Sequence, residues 1–225
     1  MAQSKQNFLD FIEGCGSVPV IFEPFISVKL TETLIWRKGE HLWNTPSSLI
    51  STLVSLTERT QSDMIFPDIR GLSVENKVAL LSALDSLSKT TTLGAGIICE
   101  SSDVEICEGF SGVDCICVYG DAVSKKLPIV RMDGSVEDAI IRGDKAWYCP
   151  VEAEYNLDNY GDKIRIIGGL GVNEIVGGSP VGIYSRVESL REKYGNRWAC
   201  GSGGCIPDDN YLELISLLGA FARIR

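Results

Sequence analysis

Two acid–arginine pairs stand where apolar segments of this sequence end: Asp68 with Arg70, and Asp133 with Arg131. A carboxylate in such a place can act as a base or stabilise a developing positive charge, and the planar guanidinium of arginine fits a carboxylate. Several acids, two arginines and a cysteine follow the ends of such segments. These are more polar side chains than the fold alone requires, so we predict a binding site where the segments end. The residues assigned to substrate binding are Arg70, Glu23, Arg131, Asp133, Gly203, Gly204 and Cys205.

Asp68 is the candidate catalytic residue. It follows the apolar stretch Met-Ile-Phe-Pro at 64–67, so its carboxylate is expected to emerge where a buried strand opens. A partly dehydrated carboxylate at that point suits a base or a group that stabilises positive charge. The structural alternative is a turn or helix-capping aspartate before Gly71.

The cysteines and the single histidine limit the metal chemistry. The chain has eight cysteines, one histidine (His41) and no pair of Cys-x-x-Cys motifs. A mechanism that needs two histidines is therefore excluded, and most cysteines are expected to be buried apolar residues, with Cys115 and Cys117 on one face of a strand. We expect no required cofactor, and zinc held by Asp133, Cys149 and Cys205 is the alternative.

Eight apolar runs of strand length position these residues. The clearest runs are continuously apolar, which is typical of strands covered on both faces. The runs are 18–25, 63–69, 93–99, 114–119, 127–132, 145–149, 164–167 and 198–200.

Helical signals lie between the runs. Ser47, Ser73 and Ser179 are the predicted N-caps of helices that extend to about 61, to about 87 and to Tyr194, where Gly195 ends the third. A short helix is expected over 101–110 and a final one over 209–222.

This alternation of strands and helices predicts an α/β fold with parallel strands and right-handed crossovers. Eight units in 225 residues favour a compact (β/α)8 barrel, which would be slightly smaller than the usual size of about 250 residues. An open doubly wound parallel sheet is the alternative. No linker or repeat divides the chain, so we predict one domain over 1–225.

Composition excludes several classes of protein. The net charge of −9 disfavours nucleic acid as a partner, because an acidic surface repels phosphates. No apolar run approaches the roughly 20 residues that span a bilayer, and no secretory signal is recognisable, so we expect no membrane association and a cytoplasmic location.

Several short segments resemble the uroporphyrinogen decarboxylase superfamily. LPIVRMDG at 127–134 resembles the fifth strand of that family, and IIGGLGV at 166–172 is similar to its Gly-Asn-Leu-Asp-Pro segment. GGSP at 177–180, and GSGGCIPD at 201–208 followed by NYL at 210–212, resemble the family's next helix start and its final loop and helix. FLDF at 8–11, VPV at 18–20 and FPDI at 66–69 resemble its opening and second strand.

The resemblance implies a (β/α)8 barrel in which Asp68 is the central catalytic and substrate-binding residue. The expected function is a decarboxylase-like lyase or a ligand-binding protein for a small anionic or tetrapyrrole-related molecule. The alternatives are a methyltransferase partner of a corrinoid protein, as in the coenzyme M branch, and a non-catalytic barrel. The family's arginines after the first strand and the histidine of its final loop are absent here, which motivates the last alternative. A homodimer is a further expectation from the resemblance.

Overall fold

The computed structural model describes residues 5–16, 20–22, 25, 28–35, 45–150 and 153–224. The helices are α1 Lys5–Ile12, α2 Val28–Ile35, α3 Pro46–Thr60, α4 Val74–Ser88, α5 Val104–Cys107, α6 Val136–Arg142, α7 Glu154–Tyr160, α8 Val172–Gly177, α9 Pro180–Tyr194 and α10 Tyr211–Ile224. The strands are β1 Met64–Ile65, β2 Gly94–Glu100, β3 Cys115–Tyr119, β4 Ile129–Arg131, β5 Ala146–Cys149, β6 Arg165–Gly168 and β7 Trp198–Ala199.

The seven strands form one parallel sheet. Each strand pairs with the next one along the chain, from β1 to β7, and the register aligns Gly96 with Cys115 and Ile116 with Ile129. Parallel neighbours require crossover connections, and a helix lies in every connection except the one between β3 and β4. The predicted α/β class with parallel strands is confirmed, and each assigned strand falls on one of the predicted apolar runs.

A closed eight-stranded barrel is not what these strands form; the sheet is open and curled like half a barrel. The segment Val20–Phe22, part of the first predicted run, makes a single bridge to Cys200: Cys200 donates to the Val20 carbonyl at 3.0 Å, and Phe22 donates to the Cys200 carbonyl at 2.8 Å. Towards β1 the ladder is interrupted. Asp63 donates its N–H to the Ile21 carbonyl at 3.1 Å, but the Ile21 N–H donates to the Asp63 carboxylate at 2.9 Å. A side chain thus takes the place of a ladder carbonyl. Residues 18, 19, 23 and 24 of this run lie outside the described residues.

The concave face of the sheet is filled by apolar side chains. Side chains alternate between the two faces of a strand, so Cys115 and Cys117 point inward while Ile116 and Val118 pack against the outer helices. The predicted shared face of the two cysteines is therefore confirmed. Helix α1 adds Phe8, Phe11 and Ile12 to this interior.

Helix α1 lies at the end of the sheet where the strands begin. Lys5 forms an ion pair of 2.8 Å with Asp114, directly before β3, and Arg165 at the start of β6 donates to the Phe11 carbonyl at 3.2 Å. The interior is thus covered at this end, so a ligand site belongs at the opposite end, where the strands finish.

The helix starts follow from local capping. Ser73 and Ser179 are the N-caps of α4 and α9, as predicted. For α3 the prediction of Ser47 is wrong. Thr45 is the cap, because its hydroxyl accepts from the Ser48 N–H and Pro46 occupies the first helical position. Residues 101–110 form a 3₁₀ turn and the short α5 rather than one helix.

In the part of the chain that the structure describes, no helix has the length and apolar character of a membrane span.

Candidate functional site

Asp68 lies at the rim, the edge of the sheet where the strands end. It follows β1 and bridges to Ile98 of β2: the Ile98 N–H donates to the Pro67 carbonyl at 3.0 Å, and the Ile69 N–H donates to the Ile98 carbonyl at 2.9 Å. The side chain of Asp68 is 42% exposed, and both of its oxygens accept hydrogen bonds from Arg70. The expected partly dehydrated base is therefore instead an exposed carboxylate that holds an arginine.

Arg70 is fixed from two sides. Its Nε donates to Asp68 at 3.0 Å and its Nη2 at 2.7 Å, while the guanidinium carbon lies 4.0 Å from the centre of the Tyr119 ring. The hydrogen bond with Asp68 raises the pKa of Arg70, and partial burial opposes this rise. Nη1 has no hydrogen-bond partner among the described residues, so this nitrogen is available to a ligand at the rim.

Tyr119, the last residue of β3, completes this group, which we call the rim cluster: Asp68, Arg70 and Tyr119. Partial burial raises the pKa of the Tyr119 phenol, Arg70 lowers it, and Asp68 and Asp133 raise it further. Asp133 accepts a hydrogen bond from the N–H of Gly120, the residue after Tyr119, at 2.9 Å, so its carboxylate lies near the rim cluster. The structure thus brings together Asp68, Arg70 and Asp133 among the predicted site residues.

Arg131 does not join the rim cluster. Val130 and Met132 point into the interior, so the side chain between them points to the outer face and is fully buried there. Its Nε and Nη2 donate to Asp144 at 2.9 and 3.1 Å, and Nη2 also donates to the Ala122 carbonyl at 2.8 Å. Nη1 donates to the Gly120 carbonyl. Every guanidinium nitrogen has a protein partner, so the geometry gives no support to the predicted role as an anion clamp.

Asp133 and Arg131 instead hold the residue that follows Tyr119. The Asp133 carboxylate accepts from the Gly120 N–H at 2.9 Å, while Arg131 binds the carbonyl of the same glycine. Gly120 has a φ of +80°, a conformation that glycine adopts readily. The end of β4 therefore fixes the backbone on which Tyr119 stands.

The final glycine-rich loop, residues 201–208, packs closely against Leu170, Pro150 and Val172. The Gly203 N–H donates to the Leu170 carbonyl at 2.7 Å, and a Cβ at Gly203 would lie 2.7 Å from the Pro150 carbonyl oxygen. A Cβ at Gly204 would lie 2.8 Å from a methyl group of Val172. Close packing, against backbone at Gly203 and against the Val172 side chain at Gly204, thus accounts for both glycines without a ligand.

Cys205 is exposed in this loop, and partial burial followed by the charge of Asp208 raises the pKa of its thiol. The loop also meets the interior at Tyr148, which donates to the Ser202 carbonyl at 2.7 Å. Burial raises the pKa of Tyr148, and Cys205 adds to this rise. Because Tyr148 contacts Ser202, three residues before Cys205, this loop lies on the side of the rim where Tyr148 stands.

The alternative zinc set is not assembled. Among the described residues, no three His, Cys, Asp or Glu side chains are grouped so that they could hold a metal ion. Cys149 belongs to the outer core, where it accepts a long contact of 3.7 Å from Asn156, whereas Asp133 is bound to Gly120. Glu23, a predicted substrate-binding residue, and His41 lie outside the described residues.

The sequence interpretation missed an aromatic group beneath the rim. The Phe22 and Phe66 rings lie 4.2 Å apart between centres, and Tyr148 lies 5.5 Å from Phe25 and 6.0 Å from Phe22. Alternation along β5, with Ala146 and Tyr148 on the inner face, is the signal that would have placed Tyr148 here. These rings give the rim an apolar floor.

The comparisons with known proteins bear on the fold. No family model and no curated protein matches this chain, so membership of the uroporphyrinogen decarboxylase superfamily stays a prediction. Among solved structures, a methyltransferase from Methanosarcina mazei is similar, with a TM-score of 0.65. The match covers 97% of this chain and 98% of that chain at 11% sequence identity. At this identity the likeness concerns the fold alone.

Proposed function

We propose that this chain is a methyltransferase-like protein that binds a small anionic acceptor at the rim cluster. The observation that carries the proposal is Arg70, a guanidinium oriented by Asp68 and Tyr119 with Nη1 directed to no described partner. The fold likeness to a methyltransferase over nearly the whole of both chains supports the choice of reaction. None of the described contacts favours decarboxylation or a tetrapyrrole.

The reaction is a displacement at a methyl carbon. The anion of the acceptor attacks this carbon, the new bond forms as the bond to the donor breaks, and the electron pair leaves with the donor. Arg70 would bind the remote anionic group of the acceptor, since arginine forms strong charge-assisted hydrogen bonds. The apolar floor of Phe22, Phe66 and Tyr148 would exclude water beside the reacting atoms.

Asp68 acts in this proposal as a positioning residue. Its two oxygens hold the Nε and Nη2 edge of Arg70, which leaves the Nη1 edge for the acceptor. We propose a corrinoid protein as the methyl donor. We also propose that the reaction requires no zinc ion.

The test is methyl transfer from methylcobalamin to two thiols, coenzyme M, which carries a sulfonate, and the uncharged ethanethiol. We expect Arg70→Gln to raise the KM for coenzyme M by about 10- to 100-fold, because charged hydrogen bonds contribute about 1.5–3 kcal/mol. The KM for ethanethiol should stay unchanged. Asp68→Asn should have a smaller effect in the same direction.

Arg197→Gln is the matched control. Arg197 is paired with Asp162 at 3.0 Å and lies 5.7 Å from the Tyr194 ring, but it precedes β7 at the opposite end of the sheet. It should leave both KM values unchanged. The absence of transfer by the wild-type protein, or an equal loss in Arg70→Gln and Arg197→Gln, would contradict the proposal.

A further inference from the structure

Glu100, the last residue of β2, stands beside the rim cluster. In the register of the parallel sheet it lies opposite Tyr119, and neighbouring strands are about 4.8 Å apart. Ile98 of the same strand points into the interior and Cys99 points to the outer face. Because side chains alternate along a strand, the side chain of Glu100 is on the inner side of the rim. Tyr119 packs against the same interior, so Glu100 and Tyr119 share one face.

The order of the strands also brings Glu100 close to Arg70. Strand β2 lies between β1 and β3 in the sheet. Arg70 follows β1, yet its guanidinium carbon lies 4.0 Å from the centre of the Tyr119 ring at the end of β3. A side chain that reaches from the segment after β1 to β3 passes the end of β2, where Glu100 stands. A ligand at Nη1 of Arg70 therefore has the Glu100 side chain beside it.

The Glu100 carboxylate holds no other described part of the protein. It is exposed, and it makes no capping hydrogen bond although it directly precedes the 3₁₀ turn at 101–103. No hydrogen bond or ion pair joins it to another described residue. The neighbouring acids differ in this respect, because Asp68 holds Arg70 and Asp133 accepts from the Gly120 N–H. Glu100 is thus the acid at this part of the rim that is left for a ligand.

The charges at the rim do not suit a ligand that carries only negative charge. Asp68 occupies the Nε and Nη2 edge of Arg70 and balances the charge of the guanidinium. An anion at Nη1 would then lie near the carboxylates of Glu100 and Asp133, which have the same sign. Like charges at such short distances repel, and the repulsion grows where water is excluded. A positive group on the same ligand removes this repulsion.

We propose that the acceptor is a small zwitterion, whose anionic group binds Nη1 of Arg70 and whose ammonium group binds Glu100. The assignment rests on the proposed function, because it takes from there the binding of the acceptor's anionic group by Arg70. Both contacts are charge-assisted hydrogen bonds, which are stronger than neutral ones. Two such contacts hold a short ligand in one orientation, as methyl transfer to a single atom of the acceptor requires.

The test is isothermal titration calorimetry with a matched pair of ligands, taurine and ethanesulfonate. Taurine carries an ammonium group and a sulfonate on neighbouring carbons, whereas ethanesulfonate has the same sulfonate and no ammonium group. We expect the wild-type protein to bind taurine about 5- to 10-fold more tightly, between the gain from an exposed ion pair and that from a charged hydrogen bond. Glu100→Gln should remove this difference, and Arg70→Gln should weaken the binding of both ligands.

Glu58→Gln is the matched control. Glu58 is an exposed glutamate in the last turn of α3, which leads into the start of β1 at the opposite end of the sheet. It should keep both affinities at the wild-type values. Glu100→Lys is the second variant, and its reversed charge should make ethanesulfonate the tighter ligand. Circular dichroism checks that each variant is folded.

Equal affinities of the wild-type protein for taurine and ethanesulfonate, or no binding of either, would overturn the zwitterion assignment. A preference for taurine that survives Glu100→Gln would overturn it too. Methyl transfer to coenzyme M is a separate measurement. If coenzyme M is methylated but taurine has no advantage, the proposed function stands and the zwitterion assignment is wrong. If the binding of taurine depends on Glu100 but no methyl group is transferred, the ligand class stands and the proposed reaction is wrong.

Discussion

The buried Arg131 shows how one side chain can organise a rim without contacting a ligand. Its guanidinium joins Asp144, which is 4% exposed, to the carbonyls of Gly120 and Ala122. Because Gly120 follows Tyr119, this contact network sets the position of the ring on which Arg70 lies.

Loss of this guanidinium should lower the free energy of unfolding. In Arg131→Met the Asp144 carboxylate would remain buried without its partner, and breaking such a pair costs about 3–5 kcal/mol of unfolding free energy. Urea unfolding measures this change. Arg142→Met is the control, since Arg142 pairs with Asp121, which is 82% exposed, and such pairs contribute about 0–1 kcal/mol. Equal losses in the two variants would contradict the structural role of Arg131.

At the residue scale, the sequence located the rim but not the direction of its side chains. Asp68 and Arg70 could be predicted because they follow an apolar run. Arg131 also ends a run, but only the alternation around Val130 and Met132 determines its face, and a buried ion pair with Asp144 leaves no local signal. Tyr148 was missed because an aromatic residue within a strand is ordinarily a core residue.

At the scale of elements, the turn after β6 depends on two consecutive glycines. Gly168 and Gly169 have φ values of +84° and +80°, and a Cβ at Gly169 would overlap the side chain of Ala153. The Gly168 carbonyl accepts from the Trp198 indole at 2.7 Å, which ties the turn to β7.

Gly169→Ala should therefore destabilise the protein strongly. The left-handed backbone costs about 1–2 kcal/mol for alanine, and the overlap with Ala153 adds about 1–3 kcal/mol. Gly143→Ala is the matched control, because Gly143 has a φ of +77° but no atom within 4 Å of the added Cβ. Thermal unfolding should show a clearly larger loss for Gly169→Ala, and similar losses would show that the overlap relaxes freely.

The strands were more predictable than the connections. Continuous apolar runs of Val, Ile, Leu and Cys mark buried parallel strands well, and all seven strands fall on such runs. Helices α6, α7 and α8 have only six or seven residues each, too few for a 3.6-residue period to become visible. That the sheet is open was not predictable, because Ile21 contacts Asp63 through a side-chain carboxylate, which an apolar pattern does not reveal.

At the scale of the whole molecule, the core contains thiols and phenols that ionise only with difficulty. Burial raises the pKa values of Cys117, Cys200 and Tyr148 above their ordinary values. The unfolded chain therefore releases these protons at a lower pH than the folded chain does.

Unfolding free energy should thus fall as the pH rises above about 9, the ordinary pKa of a cysteine thiol. A group with a raised folded pKa stabilises the fold below its unfolded pKa, and this contribution is lost as the pH climbs towards the folded value. Each such group contributes a slope of up to about 1.4 kcal/mol per pH unit. In urea titrations between pH 8 and pH 10, Cys200→Ala should show a shallower slope than the wild type, with Cys15→Ala, which removes an exposed thiol, as the control. An unchanged slope in Cys200→Ala would contradict this account.

The segment Val20–Phe22 has a consequence for biosynthesis. It forms hydrogen bonds with Cys200, which directly follows β7, the last of the described strands along the chain. Until that strand leaves the ribosome, these early residues lack one of their two neighbours, and contacts so distant in sequence form slowly. The nascent chain therefore carries unpaired backbone on this segment until β7 and Cys200 have been made, and chaperone demand should fall once they have emerged.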